Sequence, residues 1–537
     1  FVVFTEISWL YGLYNIGIVI FATRYRRRAA RAGPPECIVD PSVHIAVLYT
    51  TCNDFIEESA ESCVRQCYPS FKVYLLDDST DPAFQARVDA FAARWPDRAV
   101  VVRRLTRAGF KAGNINNALR GAASAEPVFA LVDADEILPR DFLRRLVPRL
   151  LADPACGFIQ ANHRSSVARP GSVGEALGIG VDVHWRWYHP LRNDYGFVML
   201  LGHGAVLRRA AFDAIGGFPE IVSEDLAFAL RIRELGWRGR FAEDVVCFES
   251  FPTSVRAFRI RHMKWTRGTC ELLSREMGAV LRSAKFTLVE KLDILFPVVS
   301  LPLALVFFLF LVDANLVIPA MFAESRTMTL SLGDGALDIP FWGLDPRFGA
   351  VLTPDFYLIT LATFVAPILC FVVDLIRTPL SLLRFLCRST TLYASIGPMS
   401  CLGVLSWLVT RRADFLVTGD AGPRGLEAPR GAQSGRRFAY WKRVFATTHP
   451  DEPAVQAFEM LCGVLLAWAC VLLLQISSLG LAMAFVLLPV MHRVTFEHAV
   501  VRRLTYVPFG LIISGLGIGG VSACGIQTIF FGYGFHF

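Results

Sequence analysis

KVYLLDD at residues 72–78 and PVFALVDAD at 127–135 each carry a short apolar run straight into aspartates. Runs of this length, rich in β-branched and aromatic residues and closed by polar ones, read as strands. HIAVLY at 44–49 and AVVVRR at 99–104 repeat the pattern, with helix-patterned segments between them. The rhythm is βαβ, and three of the four runs end on, or are closely followed by, Asp, Asn or Thr. Ligands of such sheets bind beyond the carboxyl ends of the strands, so a polar site is expected along that lip.

The remainder of the chain is very different. Of its 537 residues 54% are hydrophobic and only 19% charged, against about a quarter charged in an ordinary soluble domain. The apolar residues concentrate at the start and in the second half, whereas residues 40–275 read as a globular insert. Runs of about 20 apolar residues, enough to cross a bilayer, occur near 2–23, 294–313, 354–376, 455–475, 477–493 and 506–526. Arginines flank several of them, notably Arg24, Arg26, Arg27 and Arg28, then Arg377, Arg384 and Arg388, which sets those ends and the insert on the cytosolic side. The first run is followed, not preceded, by basic residues, unlike a cleavable signal peptide; it opens on Phe1, so spans upstream are left open. The stretch 389–410 has arginines at both ends and is expected to lie in the interface or re-enter. The net charge of +7 follows the membrane flanks and gives no sign of nucleic-acid binding. The thirteen cysteines are scattered; Cys63 and Cys67 lack a second ligand pair, so a reducing compartment is expected and a zinc site is not.

Four clusters carry candidate chemistry. Asp77 and Asp78 close one strand; alone they read equally well as a turn. Asp133 and Asp135 close another, and paired carboxylate oxygens there suit a hard divalent cation, Mg²⁺ or Mn²⁺, holding a diphosphate. Ser223, Glu224 and Asp225 open a helical stretch, either as cap and dipole complement or with one carboxylate as a general base. Arg261, Lys264 and Trp265 stand just before the chain returns to the membrane, as a sugar-stacking and phosphate-binding group or as an interfacial anchor.

Taken in order, acids at 78, 135 and 225 followed by Arg-x-x-Lys-Trp at 261–265 resemble the D, DxD, ED, (Q/R)xxRW series of the family 2 processive glycosyltransferases, the cellulose, hyaluronan and chitin synthase group. KAGNINNAL at 111–119, GHGAVLRR at 202–209 and FLVT at 415–418 resemble further segments of that family, and the resemblance spans residues 43–420. It implies an α/β GT-A domain, a Rossmann-like mixed sheet, inserted in an α-helical transmembrane bundle with interfacial helices. It further implies Asp225, with Glu224, as the catalytic pair; Asp135 and Asp133 at the metal; and Thr51, Asp54, Asp77, Asp78, Lys111, Asp133 and Lys264 at the nucleotide-sugar. Trp265, His203 and Gly202 would meet the acceptor, and Phe415, Val417 and Thr418 would form a gating loop.

The organisation so implied is a first transmembrane helix and basic linker (1–39), the catalytic domain (40–275), an amphipathic interfacial segment (276–293), a transmembrane pair (294–376), an interfacial helix with gating loop (377–454) and C-terminal spans (455–537). The expected protein is a multi-pass enzyme of the plasma (inner) membrane with its catalytic domain in the cytoplasm. It would polymerise a UDP-sugar, UDP-glucose into β-glucan first among them, onto a growing polysaccharide and export the chain, with accessory subunits or a homo-oligomer allowed for. Departures from the pattern bear on the product: Lys264 stands for the usual arginine, Asp420 for a lysine and His203 for a small polar residue, the last as in β-1,2-glucan synthases. The alternatives are a chitin- or hyaluronan-like synthase, a non-processive transferase acting on a lipid carrier, and a transporter whose insert senses nucleotide-sugars. HWRWYHP at 184–190 reads as core or interface before sugar platform.

Overall fold

The computed structural model describes chiefly residues 2–29, 42–166, 172–313, 323–344, 366–413, 448–472 and 476–521. The four expected strands form as β1 (Ile45–Thr51), β2 (Phe71–Asp77), β3 (Ala99–Val102) and β4 (Val128–Asp133), all parallel where they pair. The mixed half of the sheet comprises β5 (Glu136–Ile137), β6 (Cys156–Ser165), β7 (Ala205–Arg208) and β8 (Arg238–Glu249). The order across all eight is β3-β2-β1-β4-β7-β6-β8-β5.

Near-continuous apolar runs suit strands covered on both faces, because alternate side chains point to opposite sides. Accordingly Leu48, Leu76 and Leu131 pack into one core, and Val47, Leu75 and Ala130 into another on the opposite face. The register then aligns the strand ends: Thr51 lies level with Asp77, and Thr50 level with Asp133. Helix Phe110–Arg120, the KAGNINNAL stretch, is fixed on this half by its asparagines. Asn114 Nδ2 donates to the Leu76 carbonyl at 3.1 Å, and Asn116 exchanges bonds of 2.9 and 2.8 Å with the Phe218 backbone. This is the expected α/β GT-A arrangement, a parallel half joined to a mixed half.

Among the described residues three helices, Glu6–Arg28, Pro379–Thr410 and Pro453–Leu472, are long and apolar enough to cross a membrane. Leu288–Ser300 and Ala304–Val312 make a fourth if their 58° bend is counted within one span. The stretch expected to lie in the interface at 389–410 belongs to this longer run, a 32-residue pair of helices, Pro379–Ser395 and Gly397–Thr410. Length and composition therefore admit it as a span, because the apolar run starts ten residues earlier than read and takes in Arg384 and Arg388. The expected span at 354–376 falls mostly outside the described residues, as does the gating loop of Phe415, Val417, Thr418 and Asp420.

Helix Val255–Leu272, which carries Lys264 and Trp265, joins the two regions. Arg256 grips Asp451 with two nitrogens, at 2.9 and 2.6 Å. Arg259 pairs with Glu459, both side chains fully buried, and Arg267 donates to Ser406 Oγ at 3.0 Å and to Thr448. Such pairs are costly to break from one side, since the remaining charge is left buried, so they fix the helix against the C-terminal helices.

Candidate active site

Along the lip of the parallel half, acids and cations alternate. Asp77 is buried, receiving Arg103 Nε at 2.8 Å and the Ser79 amide at 2.9 Å. Asp78 accepts two bonds from Arg104, at 2.9 and 2.6 Å. Asp54 folds back to accept from the Thr51 hydroxyl at 2.8 Å and the Cys52 amide at 2.7 Å, and burial raises its carboxyl above the usual range. Thr51 and these three aspartates thus form one hydrogen-bonded rim at the ends of β1 and β2, and each of the three carboxylates already has a partner.

Asp133 ends β4. Its Oδ1 accepts from the Thr50 hydroxyl at 2.8 Å and lies 2.5 Å from the Lys111 ammonium, which also donates to the Gly202 carbonyl at 3.0 Å. Burial alone would raise the Asp133 carboxyl, but Lys111 and then His203 hold it below the usual range. Asp135, two residues on, is exposed at the cleft mouth. Crowding by surrounding protein and then the Asp133 charge push it up to about 7. With Lys111 on Asp133 alone, the two carboxylates leave an excess of hard oxygen donors, the set that Mg²⁺ or Mn²⁺ prefers. A separate trio, Glu136, His163 and Cys247, is fully buried with ligand atoms within 4.8 Å of one another, but the Glu136 oxygens already serve His163 and the Gly204 amide. The softer donors of that trio do not suit a diphosphate-bound cation.

Glu224 and Asp225 open helix Glu224–Glu234. Ser223 occupies the N-cap position, yet its hydroxyl caps no amide; Gly268 of the Trp265 helix lies so close that a Cβ there would sit 2.9 Å from it. Burial raises both carboxyls, Glu224 further through the charge of Asp225. Asp225 faces the Gly202–Gly204 segment: a Cβ on Gly202 would lie 3.0 Å from its Oδ2, and φ at Gly202 is +81°, so glycine is required twice over. Burial opposes the charge of Lys111, but Asp133, Glu224 and Asp225 together raise it; burial lowers Lys264, partly offset by Glu224 and Asp133. Three stretches far apart in sequence are thereby drawn onto one point.

Next to Gly202, His203 lies between Glu136 (3.5 Å) and Glu249 (3.6 Å), edge-on to His163 at 4.6 Å. Burial opposes its charge, but Glu136, Asp133 and Glu249 raise it to about 10, so it is an imidazolium at neutral pH. Trp265 is 39% exposed, with the Arg261 guanidinium 4.3 Å from its ring centre and held on its other side by Phe251 at 4.9 Å. Arg261 is thereby committed to stacking. Trp185 and Trp187 of HWRWYHP are buried, packing on His163 and under Arg26 respectively.

Sequence reading did not single out Glu136, His163, Glu249, Arg103 or Arg104. The two arginines had a signal, since AVVVRR is the next parallel strand to KVYLLDD and must set its basic end beside the acids. Glu136 directly follows Asp135; His163 and Glu249 had none.

The family model described as glycosyl transferase family group 2 matches residues 128–387. The chain is similar to probable glucomannan 4-β-mannosyltransferase 11 of Arabidopsis thaliana, 26% identical over 53% of this chain and 66% of that protein. It is likewise 27% identical to glucomannan 4-β-mannosyltransferase 1 of Oryza sativa subsp. japonica, over 42% of this chain and 44% of that one. The chain thus spans less than two thirds of the length of these curated relatives. Among solved structures, mannosyltransferase PcManGT from Pyrobaculum calidifontis in complex with GDP-Man and Mn²⁺ is 23% identical, with 68% of this chain and 99% of that chain covered at a TM-score of 0.43. The match takes in Asp133, Asp135, Glu224, Asp225 and Trp265, and together with these relatives it supports a family 2 glycosyltransferase of the cellulose-synthase-like type.

Proposed function

We propose that the protein is a membrane-embedded, inverting, processive glycosyltransferase that lengthens a β-linked polysaccharide from a nucleotide-hexose donor. The observation that carries the reading is the convergence of Asp133, Asp225 and Gly202 on Lys111, at the mouth where Asp135 stands exposed. Asp225 takes the proton of an acceptor hydroxyl held beside Gly202 and Trp265. The hydroxyl oxygen bonds to the anomeric carbon as the bond to the diphosphate breaks on the opposite face, which inverts an α-linked donor into a β-linkage. Asp135, with Asp133, would hold Mg²⁺ or Mn²⁺; when bound, the ion neutralises charge on the departing diphosphate. Lys264 adds a positive charge on the same side, and the rim of Thr51, Asp54, Asp77 and Asp78 receives the nucleoside. On this reading the catalytic domain faces the cytoplasm from the plasma (inner) membrane and the apolar helices form the export path; helices long and apolar enough to cross a membrane support the membrane location.

UDP-glucose yielding a β-glucan is the reading from the motifs. The names of the relatives favour a second, transfer of mannose into a β-mannan. Purified protein in detergent, given radiolabelled UDP-glucose or GDP-mannose with Mg²⁺ or Mn²⁺, decides between them. High-mass product from one donor identifies it; organic-soluble product overturns processivity, and no transfer from any nucleotide-sugar overturns the proposal.

A further inference from the structure

Behind the acceptor segment lies a second polar cavity of about 250 Å³, lined by Asn162, His163, Arg164, Asp182, Arg186 and Glu243. It sits beside a slip in the β6–β8 register: Ala161 pairs with Ala242 but Asn162 with Val246, so residues 243–245 of β8 bulge out of the ladder. Two of its groups are incompletely satisfied. Asn162, 6% exposed, donates to the Glu243 carbonyl at 3.0 Å but its Oδ1 has no partner, and fully buried His163 has none at Nδ1. Buried polar atoms without partners are rare and point to a missing ligand or water.

The lining discriminates among ligands by charge. The lining sets Arg164 and Arg186, the latter also bound to Asp374 at 3.0 and 2.9 Å, beside Asp182 and Glu243, so an anion meets the two carboxylates and a cation meets the two arginines. A neutral hydroxyl satisfies both kinds, donating to a carboxylate or Asn162 Oδ1 and accepting from an arginine. The volume holds on the order of eight waters and falls below the roughly 300–1,000 Å³ of drug-sized sites; it suits one sugar ring and not a chain.

The cavity also has a connection to the acceptor segment. His163, in its wall, uses Nε2 on Glu136 Oε1 at 2.7 Å, and Glu136 Oε2 accepts the Gly204 amide at 3.0 Å. Gly204 adjoins His203, and a Cβ there would run into both Glu136 and His163, so the segment rests directly on this pair.

We propose that this cavity is a non-catalytic site for a single neutral sugar, and that its occupant fixes the acceptor segment through His163, Glu136 and Gly204. The choice of sugar as ligand rests on the glycosyl-transfer reading; the binding test below needs no donor and no turnover, so the two can fail separately. Equilibrium dialysis of the full chain in detergent against radiolabelled methyl β-glucoside and methyl β-mannoside should show saturable binding of one of them. Binding should survive Trp265→Ala, which empties the acceptor platform, and weaken at least about tenfold in Arg164→Ala and in Asn162→Ala, the loss of one hydrogen bond to a charged or buried group. Without added sugar Arg164→Ala should transfer at the wild-type rate, while the bound glycoside should raise the initial rate of wild type alone. Absence of saturable binding, loss in Trp265→Ala but not Arg164→Ala, or displacement by inorganic phosphate overturns the site. Binding with no change in wild-type rate overturns the coupling.

Discussion

Lys111→Met removes the ammonium that bonds both Asp133 and the Gly202 carbonyl of the acceptor segment. Its ammonium pairs with Asp133 at 2.5 Å and bonds the Gly202 carbonyl at 3.0 Å. Removing one partner of a buried pair costs roughly 3–5 kcal/mol. Asp133 is 31% exposed and regains some water, so about 2–3 kcal/mol of stability is expected to go. The larger effect is on turnover. Gly202 backs onto Asp225, and once its carbonyl is free the acceptor hydroxyl drifts from the base; displacement of that kind costs about a hundredfold in rate. The assay is initial rate against donor concentration in detergent, beside thermal unfolding of the same preparation. The expected result is kcat down about a hundredfold, donor KM changed by less than about threefold, and partial rescue by Lys111→Arg. A variant with wild-type kcat and a raised donor KM would refute the tether and make Lys111 a donor contact.

Other expectations follow from the same geometry. Glu459→Leu strands Arg259, fully buried beside it, and should lower stability by about 3–5 kcal/mol; the double variant with Arg259→Met should recover most of it in a melting curve. Trp265→Ala should lower transfer to oligosaccharide acceptors about thirtyfold, the rate equivalent of about 2 kcal/mol of lost stacking, and shorten the product on gel filtration while donor binding persists. The imidazolium of His203 is favoured in the folded protein, its pKa raised from 6.5 to about 10. The stability it contributes is therefore complete below pH 6.5 and is lost as pH rises through about 10. Melting temperature should decline across that window, and His203→Gln should flatten the decline.

The parallel half of the sheet was legible because its strands are buried on both faces and so announce themselves as unbroken apolar runs with polar ends. The mixed half was not. β8 spans Arg238–Glu249 with Arg, Glu and Asp along its length and a bulge within it, and β7 lies inside GHGAVLRR, which was legible as a motif but not as a strand. The acids of the site could be found by order alone, whereas their partners could not, since His163 reaches His203 through the pairing of β6 with β7 and Glu249 through that of β6 with β8. In the membrane region the basic flanks of 389–410 point to an interfacial segment, while its helix extends back to Pro379 and takes in Arg384 and Arg388, a continuity that charge pattern alone does not reveal.

The central claim is that Asp225 is the base and that the donor is held by other residues. The direct measurement is transfer and nucleotide binding by Asp225→Asn, an exchange that keeps the size and the bond to the Leu226 amide. The account predicts polymer synthesis reduced to background with the dissociation constant of the nucleotide diphosphate nearly unchanged. Continued polymerisation by this variant, or loss of nucleotide binding along with activity, would contradict it.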